Sequence, residues 1–145
     1  MQTARVEIAD TDEKIAACFP VMHELRPHLK DAAELVARVK HQHKEGFVLA
    51  YASDGNGVPA ACIGFRRQER LVHGPLIYVD DLVTTATGRS RGYGALLLNW
   101  VEDIARHEGR KVVDLDSGTH RAEAHRFYFR QRYSISSFHF LKHIK

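Results

Sequence analysis

Polar and apolar positions alternate over Ala4–Ala9 (ARVEIA), which predicts a short strand. The apolar spacing then lengthens to three and four residues. Ile15, Phe19, Met22 and Leu25 share one face of a helix, with Asp10 or Thr11 placed to cap it and Pro27 to interrupt it. A second helix is expected from Asp31 to about Lys44, carrying Leu35, Val36 and Val39 inward and stopping at Gly46. From Phe47 the period falls to that of strands. Phe47–Ser53 (FVLAYAS), the turn Asp54-Gly55-Asn56-Gly57, Val58–Arg67 and Leu71–Thr84 read as three antiparallel strands in succession. A long amphipathic helix follows from Gly92 to about Glu108, with Leu96, Leu97, Trp100, Val101 and Ile104 facing inward. Gly109 stops it, Lys111–Asp116 is a strand, His120–Arg132 a helix, and Ile135–Leu141 alternates as a closing strand.

The resulting order, β-α-α-β-β-β-α-β-α-β, is a mixed α/β fold with helices around a mostly antiparallel sheet. It has no internal repeat and no low-complexity linker, so residues 1–145 are expected to form one domain. A chain of 145 residues buries roughly 68–70% of its extended surface, enough for a core without metal or disulfide support. Its two cysteines, Cys18 and Cys62, lack any zinc or CxxC spacing and read as free thiols of a reducing cytosol. No apolar run approaches the ~18–20 residues of a membrane span, and the N-terminal residues lack the apolar region of a signal peptide. The expected location is cytoplasmic, with no membrane partner.

A formal charge of +3 invites a nucleic-acid reading. The charges are interspersed, however, and the densest basic stretch, Arg121–Arg132, is an aromatic-bearing amphipathic helix, so nucleic acid is not the expected partner. Ten histidines include the pairs His41/His43 and His120/His125, but no third ligand stands at a usable spacing, and no metal is expected.

The chemistry concentrates in Val79–Leu98 (VDDLVTTATGRSRGYGALLL), where a strand, a glycine-bearing loop and a helix start follow one another. A helix N-terminus presents unpaired N–H groups and partial positive charge, both suited to a phosphate. Gly92 and Gly94 let the backbone approach such a ligand, and Arg89 and Arg91 add cationic donors. A dinucleotide fingerprint is a mimic, since Asp114 lies 20 residues after Gly94. Leu97 occupies its third glycine position, though, and the loop from Thr85 to Arg91 is too long for its tight turn.

Arg89-Ser90-Arg91-Gly92-Tyr93-Gly94 resembles the pyrophosphate motif Gln/Arg-x-x-Gly-x-Gly/Ala of the GNAT family of N-acetyltransferases, and the order of elements is similar from Arg5 to Leu141. The resemblance implies transfer of acetyl from acetyl-CoA to a primary amine, on a small molecule or a protein, by direct attack in a ternary complex. Ser90, Tyr93 and Ala95 then join the two arginines and two glycines around the pyrophosphate, and the backbone of Leu82, Val83 and Thr84 holds the pantetheine, with the Val83 N–H toward the thioester carbonyl.

Val79-Asp80-Asp81-Leu82-Val83-Thr84 resembles the acidic strand of polyamine-acetylating members, which makes Asp80 the general base, with Asp81 pointing to the opposite face. Ala124-His125-Arg126-Phe127-Tyr128 resembles the family's Ala-x-x-x-Tyr helix, making Tyr128 the general acid. Arg26 and His28 fall in the first inter-helix connection, which the resemblance places beside the acceptor groove, and with Asp81 they are the expected acceptor-binding residues. The chain departs from the family pattern at Arg121, where asparagine is common, and at Arg132-Tyr133, where Gly-Phe is usual. Those departures motivate the alternative of a CoA-binding regulatory module without turnover. The sequence leaves room for a homodimer.

Overall fold

The computed structural model describes residues 4–145, which divide into one unit running to Asp114 and another from Leu115 onward. In the first, β1 (Arg5–Ile8), β2 (Phe47–Ser53), β3 (Pro59–Arg70) and β4 (Gly74–Thr84) pair antiparallel, and β5 (Val112–Leu115) lies beside β4. The sheet order is β1-β2-β3-β4-β5, so among the described residues β1 and β5 are its two outer strands. Three helices, α1 (Asp12–Ala17), α2 (Phe19–Leu25) and α3 (Ala32–His43), connect β1 to β2, and α4 (Tyr93–His107) connects β4 to β5. The mixed α/β class read from the sequence stands.

Local chemistry accounts for most boundaries. The Thr11 side chain accepts from the Lys14 N–H at 3.2 Å to start α1, and Asp31 does the same for Glu34 at 2.8 Å to start α3. The single first helix expected from the apolar spacing is instead two, parted at Cys18. Pro20 has no N–H to return to the carbonyl four residues back, so it sits in the first turn of a new helix. Arg26 precedes Pro27 and leaves helical geometry (φ −119°, ψ 71°), which ends α2. In the turn after β2, the Asp54 carboxylate accepts from the N–H groups of Asn56 and Val58, and Gly57 takes the left-handed conformation that closes it.

The sheet is covered on both faces. Ile15, Val21, Met22, Leu35 and Val39 pack with Phe47, Leu49, Cys62 and Val83 into one cluster. On β3 the residues alternate with these, so Phe65 meets Trp100 of α4 edge-on at 5.8 Å between ring centres. Burial on both faces explains why Ala60–Phe65 is continuously apolar rather than alternating. Both cysteines are free and buried in this core. The Cys62 thiol is pushed well above its usual range by its hydrogen bond with the Cys18 thiol, by burial and by the charge of Asp81, which keeps it protonated. Among the described residues no helix is long and apolar enough to cross a membrane.

The second unit holds α5 (Ala122–Arg130), ended by Arg132 at φ 68°. The strand expected over 135–141 is not formed: among the described residues no backbone group of 134–145 bonds another backbone group. Alternation supplies the side chains of a strand, but the strand exists only with a ladder partner.

Candidate active site

Arg70 stands opposite Gly74, Arg66 opposite Tyr78 and Phe65 opposite Val79. Counting outward would place Gly64 opposite Asp80. It stands instead opposite Asp81, so Asp80 is an extra, unpaired residue: a β-bulge in β4. The bulge overturns the expectation that Asp80 and Asp81 point to opposite faces. Both carboxylates, with Tyr78, border a single cavity of about 390 Å³ roofed by α2 and α3 and lined further by Arg26, His28, Arg38, Gln42 and Phe47. Gly64 makes room for this arrangement, since a Cβ there would lie 2.6 Å from Phe47 Cε1 and 2.9 Å from Asp81 Oδ2.

Each carboxylate has its own guanidinium. Arg26 donates through Nε to Asp81 Oδ1 at 2.8 Å and through a terminal nitrogen to the Asp80 carbonyl at 3.1 Å, clamping the bulge from the connection after α2. Arg66 donates to Asp80 Oδ2 at 3.0 Å and to Gln42 Oε1 at 2.7 Å, and its guanidinium lies over the Phe47 ring. Burial raises the Asp80 carboxyl above its ordinary value despite the opposing pull of Arg66, and the Asp81 charge pushes the same way. Asp80 is therefore a stronger proton acceptor than a solvated aspartate. Arg66, Arg38, Gln42 and Tyr78 were not singled out from the sequence. The signal for Arg66 and Tyr78 was the count back from the turn at Leu71–His73, which brings them to adjacent strands beside Asp80.

Beyond the bulge, Leu82 and Val83 are buried and Thr84 half-buried, paired on one side with Ile63, Cys62 and Ala61. On their other side no strand pairs with them among the described residues. β5 has four residues and begins where Lys111 N–H meets the Pro75 carbonyl at 3.1 Å, so it cannot reach Leu82–Thr84 in either direction. Thr85 then fixes the loop, donating its N–H to Ala60 and accepting the Gly88 N–H at its hydroxyl.

Arg89, Ser90 and Arg91 are exposed, and Tyr93, Gly94 and Ala95 form the half-buried first turn of α4. Ser90 (φ 68°) and Gly92 (φ 82°) both take positive φ, the backbone alternation that turns successive N–H groups toward a common point. No side chain caps α4 and its first turn carries no acid. Neither Arg89 nor Arg91 has a carboxylate partner among the described residues. An uncapped helix start with two free guanidinium groups fits a diphosphate, and acetyl-CoA carries one.

Tyr128 lies on α5 of the second unit and is buried. Burial raises its phenol above the ordinary value, with Arg121 pulling weakly the other way. Arg132 and Tyr133, which replace the usual Gly-Phe, keep a glycine-like backbone: Arg132 is left-handed, and the Tyr133 N–H bonds the Tyr128 carbonyl at 2.9 Å.

Residues 8–132 match the acetyltransferase (GNAT) family. The chain belongs to that family and is an acyltransferase of the acetyl-CoA-dependent N-acetyltransferase type. It is similar to the uncharacterized N-acetyltransferase YhdJ of Bacillus subtilis, with 36% identity over 131 residues, 90% of this chain and 92% of that protein. It is also similar to the aminoalkylphosphonate N-acetyltransferase of Salmonella typhimurium, 35% identical over 88 residues, 60% of this chain and 57% of that protein. A solved structure with a like fold is the transcriptional regulator of Bacillus halodurans, with a TM-score of 0.85 and 18% identity over 98% of this chain and all of that one.

Proposed function

We propose that the chain acetylates a small primary amine held in the cavity beneath the β4 bulge, by direct attack in a ternary complex, with residues 1–145 acting as one catalytic domain. The observation that carries this reading is the pair of carboxylates turned by the bulge into one cavity of about 390 Å³. That volume is in the range of small-molecule sites, and the related Salmonella enzyme is named for a small amine.

Acetyl-CoA supplies the acetyl group as an activated thioester. The α4 N-terminus, with Arg89, Ser90, Arg91, Gly92, Tyr93, Gly94 and Ala95, binds its pyrophosphate, and the open edge of Leu82–Thr84 takes the pantetheine. The Val83 N–H is the donor assigned to the acetyl carbonyl. Asp80 Oδ receives the proton that the ammonium must lose, directly or through water, since an alkylamine with a pKa near ~10.4 arrives charged at neutral pH. Asp81 and Arg26 hold the bulge in place, and His28 stands on the cavity wall toward the acceptor. As the C–N bond forms and the C–S bond breaks, the phenol of Tyr128, kept protonated by burial, gives its proton to the departing thiolate, and the second proton lost from nitrogen as the amide forms restores the phenol.

Thiol release from acetyl-CoA tests the reading across aminoalkylphosphonates, amino sugars, diamines and lysine- or N-terminus-bearing peptides. Release with small amines is expected; release with peptides alone, or with none, defeats the proposal. Tyr128→Phe is expected to lower kcat by on the order of 100-fold while the KM for acetyl-CoA stays within a few-fold. Full activity would remove Tyr128 as the acid.

A further inference from the structure

The two carboxylates of the cavity are already neutralised by the protein itself. Arg66 pairs with Asp80 at 3.0 Å and Arg26 with Asp81 at 2.7 Å, so neither is left over for a second positive charge on a ligand. Arg38 brings one more guanidinium to the same wall, carried by α3. Its Nε donates to Glu34 Oε1 at 3.1 Å, and the other oxygen of Glu34 accepts the Lys30 N–H at 2.8 Å. Glu34, which does not line the cavity, thereby steadies the guanidinium by a single nitrogen. Among the described residues nothing accepts from its two terminal nitrogens. Those nitrogens form the planar fork that matches a carboxylate or a phosphonate.

The helix sets the spacing of the two charges. Gln42 follows Arg38 by four residues, so both lie on one face of α3, about one turn or ~5.4 Å apart. Gln42 accepts from Arg66 at 2.7 Å, and Arg66 holds Asp80, which ties that end of the wall to the proposed base. Arg38 marks the other end, a turn nearer the start of α3. Leu29, Leu35 and Val39 are buried and line the same cavity, an apolar surface suited to a short methylene stem.

We infer that the acceptor is a short zwitterion, a primary amine bearing a carboxylate or phosphonate a few carbons away, with its amine at Asp80 and its anionic group on Arg38. The inference rests on the reading of this cavity as the acceptor site and narrows it. A diamine of equal length would bring its second ammonium against a guanidinium with no free carboxylate to receive it. A plain alkylamine would leave the fork of Arg38 unused. The acid pair on β4 resembles that of polyamine-acetylating members, but Arg26 and Arg66 cancel its charge from within.

Thiol release from acetyl-CoA is compared across matched acceptors with stems of about two to four carbons, the span of one helix turn. The set holds amino carboxylates, amino phosphonates, plain alkylamines and diamines. For the better of the two acidic classes, kcat/KM is expected to exceed that of the alkylamine and the diamine by on the order of 10–100-fold, the effect of one charge-assisted pair. The carboxylate and phosphonate arms show which anion the fork takes. Arg38→Ala is expected to raise KM for that substrate by a similar factor with kcat within a few-fold, and Arg38→Lys, which keeps the charge without the fork, to recover part of the loss. Arg38→Glu is expected to turn the preference toward the diamine. The Arg38 side chain is 53% exposed, so these variants should fold, and their far-ultraviolet spectra check it. Alkylamines or diamines used as well as the acidic amines overturn the inference and leave acetylation of small amines standing. Release with none of the four classes defeats both. An unchanged KM in folded Arg38→Ala, or an Arg38→Glu protein that still prefers the acidic amine, also overturns it.

Discussion

Arg89→Glu combined with Gly92→Asp is expected to abolish the thermal stabilisation that CoA confers on the protein. A ligand at a hundred times its Kd stabilises the folded state by about 2.7 kcal/mol, a rise of several degrees in Tm for a chain of this size. The double change places two negative charges at the proposed diphosphate site and removes a guanidinium that has no carboxylate partner among the described residues. It also puts a side chain on Gly92, whose φ of 82° costs an ordinary residue roughly 1–2 kcal/mol. Gly92→Ala separates the two effects. It carries the backbone cost with no charge, and a Cβ there meets no atom within 4 Å, so the alanine protein should melt lower yet still respond to CoA. Differential scanning fluorimetry with and without CoA reads both variants. An undiminished CoA shift in the double variant would move the diphosphate elsewhere.

Asp80→Asn is expected to lower the rate at neutral pH by ~10²–10⁴ and to move the pH optimum upward. The sign follows from the proton inventory. In the native protein the carboxylate is available as a base above its own pKa, which burial places higher than that of a free aspartate, so activity is lost as pH falls through that raised value. The asparagine protein has no such group. Its rate should climb about tenfold per pH unit toward the pKa of the amine itself, near ~10.4, because only the neutral amine attacks. The amide remains a hydrogen-bond acceptor for Arg66, and Arg66 keeps Gln42, so the cavity wall should persist. A kcat/KM profile that keeps its acid limb in place would exclude Asp80 as the base.

The parts of this protein that were legible in its sequence are those governed by neighbours in the chain. Thr11, Asp31, Gly46 and the Asp54–Gly57 turn each act within a few residues, and each lies at the boundary it signals. The Arg89–Ala95 run is likewise contiguous, so its helix-start geometry could be anticipated from composition and order. Pro20 was a readable signal as well, and the regular spacing of Ile15, Phe19 and Met22 masked it. The acidic cavity is a different case. Its geometry depends on how β3 meets β4, and no local pattern in Val79–Leu82 announces that the register slips there. Arg66 is 14 residues from its partner Asp80, Arg26 is 55 from Asp81, and neither pairing follows from periodicity. The tail shows the converse limit: Ile135–Leu141 has the alternation of a strand, but a ladder needs a second backbone that alternation cannot supply.

Excising Asp80 would let Val79 and Asp81 follow one another opposite Phe65 and Gly64, giving an uninterrupted β3–β4 ladder. The sheet would gain regularity and its acidic notch would close. A one-residue deletion at this spot is thus expected to keep the β3–β4 pairing while removing the proposed base.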